Sequence, residues 1–171
     1  LAFEILSGKD LKLSQNYKND LIKTLSMCAG HSGLAGGQYS DLTFENKNIS
    51  KKNIINMQKK KTGELFGFCC ECIAIIKGLK IIKRKKLKEI GIDIGLLFQI
   101  VDDLIDYKED SSMVRKSTKS DKATFINLIG YEETVNFARN LKNKINKKIK
   151  KYTPKASDLL ESVEFILNRK F

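Results

Sequence analysis

The sequence predicts an all-α protein, and three observations carry that reading. Apolar residues recur every three or four positions through most long segments, few stretches alternate as a half-buried strand would, and Pro154 is the only proline in 171 residues. The periodicity places helices at about 1 to 7, 14 to 43, 51 to 78, 84 to 107, 124 to 129, 131 to 151 and 154 to 169. Ser50 is suited to cap the third of these, and Thr153 followed by Pro154 to begin the last. The longest break, 109 to 123, is polar without a sustained apolar period and is expected to be a surface loop.

At 42% hydrophobic and 30% charged, the chain has the composition of a globular domain. No run of eighteen apolar residues is present to span a membrane and no export leader is evident, so a cytoplasmic location is expected. The opening "LAFEIL" lacks an initiating Met and reads as the middle of an apolar helix, so further sequence is expected upstream. The net charge of +12 raises the question of nucleic acid, but the excess lies in runs such as "KIIKRKKLK" and "KNKINKKIKK" without interleaved aromatics. Solvated helix faces are the expectation, with no nucleic-acid partner. The cysteines of "FCCECIA" are not spaced as two separated zinc-ligand pairs and His31 is remote, so they are expected to be small, buried, reduced packing residues.

"FQIVDDLIDYKED" (98 to 110) places five carboxylates after an apolar segment. At roughly 100° per residue, Gln99, Asp102, Asp103 and Asp106 share an arc of about 100°. Leu87, Ile90, Ile94, Leu97, Phe98, Val101, Leu104 and Ile105 lie nearly opposite and should face the core. Back along the carboxylate stripe come Leu96, Gly95, Ile92 and Gly91, which suggests a cleft with an acidic mouth and an apolar floor. Carboxylates near a helix C-terminus gain nothing from the macrodipole, so a cation should compensate them. From the residues alone, two readings stay open: an ordinary solvated helix end, or a Mg²⁺ site that also takes substrate phosphate oxygens. Glu109 and Asp110 are expected at the helix exit, in solvent.

Two further segments are weak singly. "GLAGGQYSDL" surrounds Gln38 with small residues that permit close helix approach, and "MQKKKTGELF" sets Lys61 and Thr62 before Gly63 where a helix could open towards a ligand. Taken in order, "GGQYSDL" (36 to 42), "KTGELF" (61 to 66), "FQIVDDLID" (98 to 106) and "KATFINLIG" (122 to 130), with "LAFEIL" before them and "FILNRKF" (165 to 171) after, resemble the C-terminal portion of the trans-prenyl diphosphate synthases. The resemblance covers nearly all of residues 1–171 and implies the C-terminal portion of one domain.

The resemblance implies an isoprenoid-synthase-type helical bundle around a central cavity, working as a homodimer. Its members join an allylic diphosphate to isopentenyl diphosphate, with Mg²⁺, conventionally three ions, assisting ionisation. It further implies Asp102, Asp103 and Asp106 as metal ligands, with Asp102 the foremost, and Lys61 and Lys116 as contacts to the allylic diphosphate. Thr62 and Gln99 would face the nascent cation, and Gln38, Asp41 and Phe98 would shape the pocket. A short-chain product is implied, farnesyl first and geranylgeranyl second; a non-catalytic partner subunit is the alternative. In this family the first aspartate-rich motif and the residues gripping isopentenyl diphosphate precede the segment matched by "LAFEIL". The loop departs from the family: Arg115 stands where a glycine usually precedes the lysine, and the stretch leading to "KATF" is shorter.

Overall fold

A computed structural model describes residues 1–45, 47–112, 124–152 and 154–169, and among these nine segments are α-helical: α1 (Ala2–Ser7), α2 (Gln15–Ala29), α3 (Leu34–Phe44), α4 (Lys51–Gln58), α5 (Glu64–Ile76), α6 (Ile81–Ser112), α7 (Phe125–Ile129), α8 (Tyr131–Ile149) and α9 (Ser157–Leu167). No strand occurs among the described residues. None of the helices among them is long and apolar enough to cross a membrane.

The 32-residue α6 is the axis of the bundle. Its buried Ile90, Ile94, Leu97, Val101 and Leu104 meet Leu141, Ile145 and Ile149 of α8, Val163 and Ile166 of α9, and Phe125 of α7 in one core. Leu87, Phe98 and Ile105 pack at its margin, so the whole predicted apolar stripe of α6 serves the core. The stripe forms because 3.6-residue periodicity keeps these positions on one side over about five turns.

The predicted helix over 14 to 43 is two helices. The chain breaks after Ala29 because the carbonyl of Cys28 lies where a Cβ on Gly33 would sit, an approach only glycine allows. At another glycine-dependent turn, Gly78 (φ 62°) reverses the chain between α5 and α6. The segment predicted as one helix over 51 to 78 is interrupted by a π-helical turn, Lys59–Gly63, at the place where Lys61 and Thr62 suggested an opening. Ser50 caps α4 as expected, its hydroxyl accepting from the Asn53 backbone N–H at 3.3 Å.

Helix α6 starts three residues earlier than expected and continues to Ser112, so Glu109 and Asp110 lie within the helix and not at its exit; Glu109 is exposed. The last helix begins at Ser157, after a turn that includes Pro154, and Thr153 lies outside the described residues. The cysteine expectation is corrected: Cys69 is exposed and Cys70 and Cys72 are half-buried, because the outer face of α5 that also carries exposed Ile73 and Ile76 is not covered by another described helix. Only Cys28 is buried, and burial pushes its thiol up to about 11.

Candidate active site

Three elements bring the predicted residues together: α3 with Gln38 and Asp41, the π turn with Lys61 and Thr62, and α6 with Phe98, Gln99, Asp102, Asp103 and Asp106. The small residues of α3 make the first contact possible. A Cβ on Gly37 would overlap the backbone nitrogen of Lys61, so α3 lies directly against the π turn. Asp41 is thereby in reach of Lys61, whose ammonium donates to its carboxylate at 2.5 Å.

On the next side of the π turn, the Thr62 hydroxyl donates to Gln99 Oε1 at 3.2 Å, and Gln99 Nε2 donates to Asp103 Oδ1 at 3.3 Å. Hydroxyl, amide and carboxylate thus form one chain across two helices. Gln38 is half-buried and outside this chain, and Lys116 lies outside the described residues.

Asp103 is the electrostatically strained member. Burial pushes its carboxyl up; the bond from Gln99 opposes this, the charges of Asp106 and Asp102 add to it, and Lys61 counteracts them, leaving it at about 7. Its second oxygen, Oδ2, is buried without a hydrogen-bond partner. An orphaned carboxylate oxygen beside two further carboxylates suits a hard cation, whose charge would reverse the upward shift. Among the described residues no group of three or more His, Cys, Asp or Glu is gathered to hold a metal unaided. The aspartates fit Mg²⁺ as one to two ligands, the remainder coming from waters and phosphate.

Two features lay beyond the sequence reading. Arg169, just after α9, donates to Asp102 Oδ1 at 2.6 Å and sits 4.9 Å from the centre of the Phe98 ring. It supplies, with Lys61, the cation that the α6 carboxylates called for. The charge imbalance of α6 was its only sequence signal, because nothing in the spacing links residue 169 to residue 102.

The second is a correction. The expected apolar floor beyond the aspartates is a helix seam: a Cβ on Gly91 would overlap the carbonyl oxygen of Phe66, and one on Gly95 would lie 2.7 Å from Gly63 Cα. These glycines seat α5 on α6. The apolar recess lies to the side instead, a cavity of about 510 Å³ lined by Phe66, Phe98, Phe165 and Ile166 with Asp158, Glu161 and Ser162. Phe98 and Phe66 stand with ring centres 5.7 Å apart in its wall.

The polyprenyl synthetase family profile matches residues 1–164. The chain belongs to the polyprenyl synthetase family. Within it, the chain is 32% identical to the farnesyl diphosphate synthase of Haemophilus influenzae over 179 aligned residues, covering 99% of the chain and 59% of that protein. It is 27% identical to the farnesyl diphosphate synthase of Micrococcus luteus, covering 92% and 56% respectively. Its fold superposes on a farnesyl/geranylfarnesyl diphosphate synthase of Zymomonas mobilis with a TM-score of 0.83 at 34% identity, covering 96% of the chain and 56% of that structure. A geranyltransferase of Helicobacter pylori, solved with magnesium and isoprenyl diphosphate, matches with a TM-score of 0.79 at 31% identity, covering 98% and 55%. The polyprenyl synthetase chain therefore has the isoprenyl-synthase all-α fold. It spans a little over half the length of these relatives.

The Asp103 shift sets a pH dependence in this polyprenyl synthetase chain. Unfolding lowers the carboxyl from about 7 to its ordinary value of 3.8. The folded state thus holds the proton more tightly, so the associated stability is present below pH 3.8 and is lost as pH rises through about 7. Asp103→Asn removes this loss. In metal-free thermal melts, its Tm relative to the parent should climb between pH 4 and pH 7 and level off above. A constant difference across that range would contradict the assigned shift.

Proposed function

We propose that the protein carrying residues 1–171 is a prenyltransferase that condenses an allylic diphosphate with isopentenyl diphosphate to a short-chain prenyl diphosphate, farnesyl first and geranylgeranyl second. The observation that carries this reading is the convergence of Lys61, held by Asp41, with the Thr62–Gln99–Asp103 chain and the orphaned Asp103 oxygen, beside an apolar recess. A cation, a hydroxyl and carboxylates around one space suit an allylic diphosphate head, and the recess walled by Phe66 and Phe98 suits its apolar chain.

Asp102, Asp103 and Asp106 would hold Mg²⁺ together with diphosphate oxygens, and when bound the metal neutralises the charge that develops on the leaving diphosphate. Lys61 acts as a point charge on the same phosphates, and Asp41 fixes where its ammonium stands. Thr62 and Gln99 present oxygen dipoles, already positioned by their mutual bond, towards positive charge in the allylic portion. Phe98 and Phe66 give it an apolar wall to lie against. Lys116 is assigned a second phosphate contact, and Gln38 a part in shaping the pocket. The reading includes the homodimer, the cytoplasmic location and the three-ion complement that the family resemblance implies. The alternative, a partner subunit without chemistry of its own, gains no observation in its favour.

Incubation of the full-length protein that carries residues 1–171 with dimethylallyl and isopentenyl diphosphates and Mg²⁺, followed by product sizing, tests the proposal. Fifteen-carbon product (~three isoprene units, held by the apolar recess) is expected. No condensation in Mg²⁺ would overturn it.

A further inference from the structure

The lysine run before Thr62 serves two sides of the molecule. Lys61 pairs with Asp41 on α3, whereas Lys59 reaches Asp93 on α6 at 3.4 Å. Asp93 is about 180° round the helix from Asp102 and about 14 Å along it. It is 3% exposed, and Lys148 of α8 donates to it at 2.8 Å, with Lys144 at 3.7 Å. Burial pushes the Asp93 carboxyl up, and Lys148, Lys144 and Lys59 outweigh this and hold it below its ordinary value. One carboxylate thus gathers three ammonium groups from two other elements.

Around it lies a groove of about 420 Å³ whose lining includes Lys59, Lys60, Lys144 and Lys148, with Ser32 and Asn56 as neutral hydrogen-bonding groups. Glu64 and Glu89 also line it, but Glu64 is engaged by Lys88 at 2.9 Å, and Glu89 is 67% exposed and 4.0 Å from Lys148. A second groove of about 440 Å³ shares Lys144 and Lys148 and adds Lys147, Lys151, Asn140 and Asn143, with no carboxylate in its lining. Lys60, Lys147 and Lys151 have no ion-pair partner among the described residues. The spacing 144, 147, 148, 151 puts these lysines on one helical face, and Asp93 fixes two of the shared ammonium groups before any ligand arrives.

We propose that this double groove between the π turn, α6 and α8 is a second anion-binding site, distinct from the α6 aspartate face, for a small polyphosphate such as inorganic diphosphate. Clustered point charges flanked by amide and hydroxyl donors suit phosphate oxygens, and grooves of these volumes have room for a compact anion. No interleaved aromatic ring lines either groove, which disfavours a single-stranded nucleic acid. The site does not depend on the prenyltransferase reading.

Titration with inorganic diphosphate in EDTA, followed by calorimetry and ³¹P line broadening, tests it. Lys144→Ala combined with Lys147→Ala leaves the Lys148–Asp93 pair in place, and should weaken diphosphate binding about tenfold or more with unchanged helical content. Lys60→Ala, on the opposite wall, should weaken it independently, while Lys61→Ala should leave it within about twofold. Equal binding by the parent and both groove variants, or a loss confined to Lys61→Ala, would overturn the proposal. So would salt-sensitive binding of a single-stranded oligonucleotide that diphosphate does not displace.

Discussion

In the full-length protein, on the proposed prenyltransferase reading, Asp102→Ala should lower turnover of dimethylallyl and isopentenyl diphosphates by about 10²–10³-fold while leaving the helical fold intact. The first half of this expectation comes from charge. Removing one preorganised group that bears on developing negative charge costs about 3–4 kcal/mol of transition-state stabilisation, and Asp102 is the α6 carboxylate already able to hold a cation at its surface, as the Arg169 contact demonstrates. The second half comes from burial. The Asp102 and Arg169 side chains are 28% and 31% exposed, so losing the pair leaves no charge stranded in the core. Circular dichroism and melting temperature should hardly change. A variant with parental turnover in saturating Mg²⁺ would remove Asp102 from the metal assignment, and one that loses its helical signal would show the residue to be structural.

Gly91→Ala has the opposite profile, with stability lost first. The added Cβ meets the carbonyl oxygen of Phe66, Gly67 Cα at 2.7 Å and the Phe66 carbonyl carbon at 2.7 Å. All are backbone atoms, so no side chain can rotate away, and α5 must lift from α6. Overpacking of this kind costs about 3 kcal/mol, a fall in Tm of about 6–12 °C for a chain of this size. The same displacement draws the π turn from α6 and lengthens the Thr62–Gln99 contact, so activity should fall with stability. Cys69→Ala, on the exposed face of α5, is the matched control and should stay within about 0.5 kcal/mol. Equal denaturation midpoints for the two variants would contradict the seam.

The elements legible in the sequence were those governed by local period and chemistry. The core stripe of α6 from Leu87 to Ile105 follows from 3.6-residue spacing, and the carboxylate arc from the same count. The Ser50 cap and the opening at Lys61 and Thr62 likewise rested on neighbouring residues. What escaped depended on partners distant in sequence. Gly91 and Gly95 read equally well as the floor of a cleft or as a seam until Gly63 and Phe66 are placed against them. The break at Gly33 required knowing where the Cys28 carbonyl points. Arg169 reaches Asp102 only through the return of α9 along α6, and the lysines of "KNKINKKIKK" became more than a solvated face only when Asp93 was found buried beneath two of them. The incomplete burial of the α5 cysteines, with Cys69 exposed, had no sequence signal because small residues suit both a packed face and an open one.

Labelling aspartate side-chain carboxyls with ¹³C and adding Mn²⁺ as a paramagnetic stand-in for Mg²⁺ tests whether the α6 aspartates take a divalent cation jointly with diphosphate. The predicted result is selective broadening of Asp102, Asp103 and Asp106 that requires diphosphate, with Asp20, which Arg84 engages at 2.9 Å and which lines neither basic groove, remaining sharp. Uniform broadening of all aspartates, or unaffected Asp102 and Asp103 signals with both Mn²⁺ and diphosphate present, would contradict it.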